Sequence, residues 1–176
     1  MPGDISKHTK YIVNLPYPEP MVEKTSIGYA NVLLKDYAGE VSEFTAVSLY
    51  VYQHIVSEGR FEDYARIIGG ISMAEMKHLE LIGKTVKLLG IKPIYIDSAC
   101  PPGQLWTSAY VNFTIFIKDM LLEDIKSEKK AIKNYKYHIS IIKDRYIQEL
   151  IKRIIKDEEL HLKLFTELYG KYSAAQ

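Results

Sequence analysis

The chain has 176 residues, 47 % of them hydrophobic, with 23 Lys+Arg against 22 Asp+Glu and a single cysteine, Cys100. Such a length and apolar content suit one folded domain with a sizeable core. The charge balance leaves no excess to neutralise phosphates, so no nucleic-acid partner is expected; one cysteine excludes an internal disulfide and any Cys-rich zinc or iron–sulfur site; and no stretch reaches the roughly 18 apolar residues of a membrane span.

Residues 1–25 carry Pro2, Pro16, Pro18 and Pro20, and the alternation in LPYPEP favours an extended, polyproline-like arm over a helix. The arm contains no uninterrupted apolar run of signal-peptide type. With the lone cysteine, this sets a reducing cytoplasm as the expected location. A first helix is predicted over 26–57, with Ser26 as N-cap, Gly59 as stop and Gly39 as the point for a bend. A second runs over 62–89, stops at Gly90 and tolerates the pair Gly69-Gly70. Residues 91–112 hold three prolines and no helical period, and read as a long connection in which Ile94-Tyr95-Ile96 is at most a short extended piece. A third helix covers 113–142 and a fourth 145–169, ending at Gly170.

Short joins make pairs one–two and three–four antiparallel hairpins, and the 91–112 segment is long enough to run the length of a bundle. The expected fold is therefore all-α: a four-helix bundle of two antiparallel hairpins joined by a long crossover, spanning 26–176 behind the arm.

The apolar seams of these helices are interrupted by charge. In the fourth, Ile147, Ile151, Ile154, Glu158, His161 and Phe165 share one face. In the second, Glu75 and His78 break an Ile68–Leu89 seam. In the third, Glu128 and Tyr135 lie in the seam, and in the first, Glu40, Glu43, Tyr50 and His54. Buried carboxylates are costly without a partner. Four of them with two histidines repel one another unless cations sit between, and Glu-x-x-His puts both side chains on one face about a turn apart, where they can grip one metal. Carboxylate and imidazole ligands suit iron, manganese or zinc. The helix midpoints, 41.5, 75.5, 127.5 and 157, fall within about two residues of Glu43, Glu75, Glu128 and Glu158, so antiparallel packing brings these residues to one level.

The chain also repeats itself. Glu43-x-x-Ala46-x-x-x-Tyr50 matches Glu128-x-x-Ala131-x-x-x-Tyr135, and Glu75-x-x-His78 matches Glu158-x-x-His161, at offsets of 85 and 83 residues. Each half would supply one Glu and one Glu-x-x-His to a pseudo-symmetric two-metal site. Glu40 rivals Glu43, and Glu123 and Asp124 rival Glu128; repeat and seam favour Glu43 and Glu128.

EFTAVSLY, AEMKHLELI and KDEELHLKLF resemble the helix motifs of bacterioferritin and rubrerythrin. Over roughly residues 27–170 the chain resembles the ferritin-like di-iron/di-manganese carboxylate proteins, manganese catalases among them. The resemblance implies metal-ligand roles for Glu43, Glu75, His78, Glu128, Glu158 and His161, with Glu75 and Glu158 bridging two iron or two manganese ions and each histidine binding one. It implies a redox protein acting on hydrogen peroxide or dioxygen, with an external electron donor if the metal is iron, or else a ferroxidase that stores or passes on iron. A homo-oligomer, dimer or larger, is expected.

The chain departs from the family in places. With a single cysteine, rubrerythrin's Cys-ligated electron-donor domain is not expected, nor, with KYSAAQ after Gly170, the fifth helix of cage-forming ferritins. Met76 occupies the position of bacterioferritin's haem ligand, but methionine is a common gap-filler and haem is not expected. Tyr50 and Tyr135 read as core tyrosines with satisfied hydroxyls, or else as hydrogen-bonding groups behind the ligands or radical-protecting donors. His54 and His138 read as ordinary histidines, Asp157 and Glu159 as solvent-facing or supporting a histidine, and Cys100 and Trp106 as packing residues.

Overall fold

The computed structural model describes residues 11–174. Residues 1–10, with Pro2 and the first part of the expected arm, and residues 175–176 lie outside the described residues. The helices are α1 (Ile27–Ala38), α2 (Glu43–Ser57), α3 (Glu62–Leu88), α4 (Ile117–Ile141) and α5 (Arg145–Ala174), with a 3-10 turn at Ser108–Tyr110. α2 pairs with α3 and α4 with α5, and α1 packs on α3 and α4. This is the expected bundle of two hairpins with a long crossover. Among the described residues the extended pairing is an isolated antiparallel bridge, Ile96–Leu105, in that crossover.

Three boundaries differ from the sequence reading. The first predicted helix is broken in two. α1 stops at Gly39, where a Cβ would sit 2.6 Å from the Lys35 carbonyl oxygen, and α2 restarts from the N-cap Ser42, whose Oγ accepts the Thr45 N–H at 3.2 Å. α4 begins at Ile117 and not at Phe113, because Asn112 Oδ1 and Thr114 Oγ1 accept the N–H groups of Thr114 and Phe116, local bonds that compete with the first helical turn. α5 runs past Gly170 to Ala174. Its last turn is held by Tyr172, which donates to Asp63 of α3 and packs edge-on against Phe61.

The core is divided. One apolar cluster joins Leu33, Leu34, Ile82, Val86, Ile147, Ile151 and Ile154; the other joins Leu49, Tyr64, Ile68, Ile71, Met120, Leu121 and Phe165. Each fully buried Leu, Ile or Phe stabilises by about 1.5–3 kcal/mol. Between the two clusters lies the polar layer of mid-helix glutamates and histidines.

Candidate metal centre

Glu43 is the first residue of α2, and Glu75 and His78 lie mid-α3, Glu128 mid-α4 and Glu158 and His161 mid-α5. All six are at most 3 % exposed. Their donor atoms form two groups, Glu43–Glu75–His78–Glu158 and Glu75–Glu128–Glu158–His161, each within 4.8 Å of one another. Glu75 and Glu158 belong to both groups.

The contacts follow the two-fold repeat. His78 Nδ1 faces Glu75 Oε2 at 3.3 Å, Glu158 Oε1 at 3.3 Å and Glu43 Oε2 at 3.6 Å. His161 Nδ1 faces the other oxygens, Glu75 Oε1 at 2.9 Å and Glu158 Oε2 at 3.0 Å, with Glu128 Oε1 at 4.0 Å. Each shared carboxylate thus offers one oxygen to each histidine. The opposite ring nitrogens are taken: His78 Nε2 lies 3.1 Å from Asp157 Oδ2, and His161 Nε2 lies 2.8 Å from the Tyr11 carbonyl oxygen. A carboxylate and a carbonyl only accept, so both Nε2 atoms carry a proton, and both Nδ1 atoms are left to face the glutamate oxygens. A proton or a metal ion between each Nδ1 and its carboxylates satisfies this geometry. The Glu75 Oε1 atom is buried, and beside His161 Nδ1 it has no hydrogen-bond donor in this acceptor-lined space.

The electrostatics agree. Burial, reinforced by Glu158 and Glu75, pushes Glu43 and Glu128 well above the usual carboxylate range. Burial also works to raise Glu75, yet the two histidines hold it well below that range. Burial opposes charge on the histidines, but their carboxylate neighbours prevail and raise both well above the ordinary imidazole value. A site that draws protons onto its imidazoles is one where a metal ion and protons compete. Six nitrogen and oxygen donors with no thiolate fit iron or manganese.

Two tyrosines cross over the cluster. Tyr50 of α2 donates to Glu128 Oε1 of α4 at 2.5 Å, and Tyr135 of α4 donates to Glu43 of α2. A tyrosine seven residues after each glutamate lies two turns along, and antiparallel helices then bring each hydroxyl to the other helix's glutamate. Between α2 and α4 a cavity of about 20 Å³ reaches Glu43, Glu75, Glu128 and Glu158, flanked by the small side chains of Ser42, Ala46, Ser127 and Ala131.

The rival residues lie elsewhere. Glu40 is exposed and Glu123 half-buried. Asp124 is fully buried outside the cluster, accepts from Tyr64 at 2.8 Å, and is pushed up to about 8 by burial. Glu159 is on the surface beside Lys136, and Met76 is 39 % exposed, outside the cluster. His54 Nδ1 meets the Ala65 carbonyl, and His138 pairs with buried Asp36 at 2.8 Å. Trp106 packs on Phe44 and donates to Thr45. Cys100 corrects the packing expectation: it is exposed on the crossover, where its backbone carbonyl accepts from Asn31.

Asp157 supports a histidine, one of the two roles read for it from the sequence, and what sequence reasoning missed is the set of groups that hold Asp157: Tyr17, Val13 and Arg153. Asp157 accepts from Tyr17 at 2.6 Å and from the Val13 N–H at 2.7 Å, and lies 2.8 Å from Arg153. Burial works to raise Asp157, but those donors and His78 bring it down to about 2. The i, i+4 spacing of Arg153 and Asp157 beside the α5 seam was the available signal.

The chain matches the ferritin-like domain model over residues 41–175 and belongs to that family. It is 27 % identical over 187 aligned residues to a probable manganese catalase of Clostridium acetobutylicum, covering 94 % of this chain and 80 % of that protein. Its fold superposes on KatB, a manganese catalase from Anabaena, with a TM-score of 0.82 at 20 % identity, over 92 % of this chain and 80 % of that one. The bacterioferritin of Desulfovibrio desulfuricans, described with a diiron site, follows at a TM-score of 0.72 and 21 % identity, over 84 % and 81 %.

Proposed function

We propose that Glu43, Glu75, His78, Glu128, Glu158 and His161 hold two manganese or two iron ions, and that the protein removes hydrogen peroxide, in the manner of a manganese catalase or rubrerythrin. The observation that carries this reading is the pair of four-donor groups sharing Glu75 and Glu158, with the Nδ1 atom of each histidine turned toward the shared carboxylates. The relationship to a probable manganese catalase across nearly the whole chain supports it. Held there, a metal pair would serve as a two-electron store, able to accept two electrons as one peroxide is oxidised to dioxygen and two protons, and to return them as a second peroxide, with two protons, is reduced to two waters.

The chain's own residues prepare this chemistry. Glu75 and Glu158 span both positions, and Asp157 and the Tyr11 carbonyl hold the imidazoles in the tautomer that presents Nδ1. Tyr50 and Tyr135 restrain Glu128 and Glu43 by charge-assisted hydrogen bonds. The roughly 20 Å³ cavity holds a molecule the size of water or peroxide, since one water needs about 10–15 Å³. Iron in the site would need an external electron donor. We further propose a homo-oligomer working in the cytoplasm; no helix among the described residues is long and apolar enough to cross a membrane.

The test is oxygen evolution from peroxide by manganese-loaded protein without any reductant. Steady evolution is expected. Its absence, together with oxidation and retention of many ferrous ions per chain, would overturn the peroxide reading in favour of a ferroxidase that handles iron.

A further inference from the structure

The N-terminal segment 11–17 does more than lie against the bundle. The Tyr11 carbonyl accepts from His161, and the Tyr17 hydroxyl donates to Asp157 and lies 3.3 Å from His78 Nε2, so one short stretch of chain reaches the back of both histidines. The stretch is anchored by directed polar contacts. Arg153, 5 % exposed, donates through Nε to the Leu15 carbonyl at 3.0 Å and through Nη2 to the Val13 carbonyl at 2.8 Å, and its guanidinium sits 4.2 Å from the centre of the Tyr17 ring.

α3 also makes room for this segment. A Cβ on Gly70 would come within 2.1 Å of the Tyr11 ring. Glycine inside a helix costs about 1 kcal/mol relative to alanine, and here it lets the arm's ring lie on the helix backbone. Packing alone needs neither a buried arginine reading two backbone carbonyls nor acceptors matched to both imidazole N–H groups.

We propose that residues 11–17 form a latch on the metal centre: by accepting the Nε2 protons of His161 and, through Asp157, of His78, they fix both imidazoles and slow the exchange of bound ions. This rests on the two-metal reading above. Tyr11 and Tyr17 are positioning residues, acting through the histidines, and Arg153 anchors them. Ions then leave only when the latch lifts or a histidine turns away, and partners behind a metal-bound histidine contribute roughly 10–100-fold in affinity.

The experiment follows release of Mn²⁺ from the loaded, full-length protein into excess EDTA by the electron paramagnetic resonance signal of the released ion. Tyr17→Phe, Arg153→Leu and Gly70→Leu are compared with Leu49→Ala, a cavity variant in the core that makes no hydrogen bond to the arm. The three latch variants should still bind two ions per chain at saturation and keep their helix content, yet release them roughly 10–100-fold faster. Leu49→Ala should lose thermal stability and release at the wild-type rate. Wild-type release rates in the latch variants would overturn the latch alone, as would equally fast release from Leu49→Ala. Wild-type protein that binds no ion pair would overturn the two-metal reading and the latch together.

Discussion

Behind His78 and His161, on the α3 and α5 side, stand a carboxylate, a backbone carbonyl and an anchored arm, all in fixed hydrogen bonds. In front of Glu43 and Glu128, on the α2 and α4 side, stand two tyrosine hydroxyls and a small cavity rimmed by Ser and Ala. Both faces meet at Glu75 and Glu158. The difference teaches a division of labour. On the two-metal reading, the back face would set where the ions sit and hold them, while the front face opens onto the small cavity. The two repeats make the centre pseudo-symmetric from helix hairpin to helix hairpin, but back and front are not interchangeable.

Substitutions on opposite faces should therefore separate retention of the ions from turnover. His161→Gln removes a ligand from one group only and should lower content from two ions per chain to about one, whereas Tyr50→Phe on the front should keep both; elemental analysis decides. Equal losses from the two would break the comparison. Ala131→Leu fills the rim of the cavity. It should keep two ions while kcat/KM for peroxide falls by tenfold or more, on the order of 1.4 kcal/mol in transition-state access; an unchanged kcat/KM would place the entrance elsewhere.

The smallest effect on the metal centre is expected off both faces, at Asp124, whose substitution acts on stability instead. Its folded-state value of about 8 lies above the unfolded value near 3.9. The folded state therefore binds this proton more tightly, and the stability it contributes is fully present below about pH 4 and lost as pH rises to about 8. The slope through this group is at most ~1.4 kcal/mol per pH unit. Asp124→Asn should flatten the fall in unfolding free energy between pH 5 and 8, measured by urea denaturation of metal-free protein, and leave the stability at pH 4 nearly unchanged.

The bundle and its mid-helix glutamates were legible because their signals are local. Apolar spacing of three and four marks the rods, glycines and prolines mark most of their ends, and antiparallel packing places mid-helix residues at one level. The break before α2 was half legible. Gly39 pointed to a bend, but Ser42 with Thr45 three residues on is also a helix start, and it is this cap that sets Glu43 at the head of its own helix. Phe113 and Phe116 misled because an apolar run reads as helix, while two side-chain-to-backbone bonds hold it extended. The latch was not legible. Its contacts join residues about 140 apart, and a Pro-rich segment announces only that it is extended. Gly69-Gly70 looked like a tolerated flaw, whereas the space beside each is filled by a ring, His54 and Tyr11.

The most direct test of the centre is the metal content of Glu75→Ala beside wild type. Glu75 gives one oxygen to each group, so losing it damages both positions at once. Two manganese or iron ions per chain are expected in the wild type, and loss of the pair in the variant. Two ions retained by Glu75→Ala would contradict it.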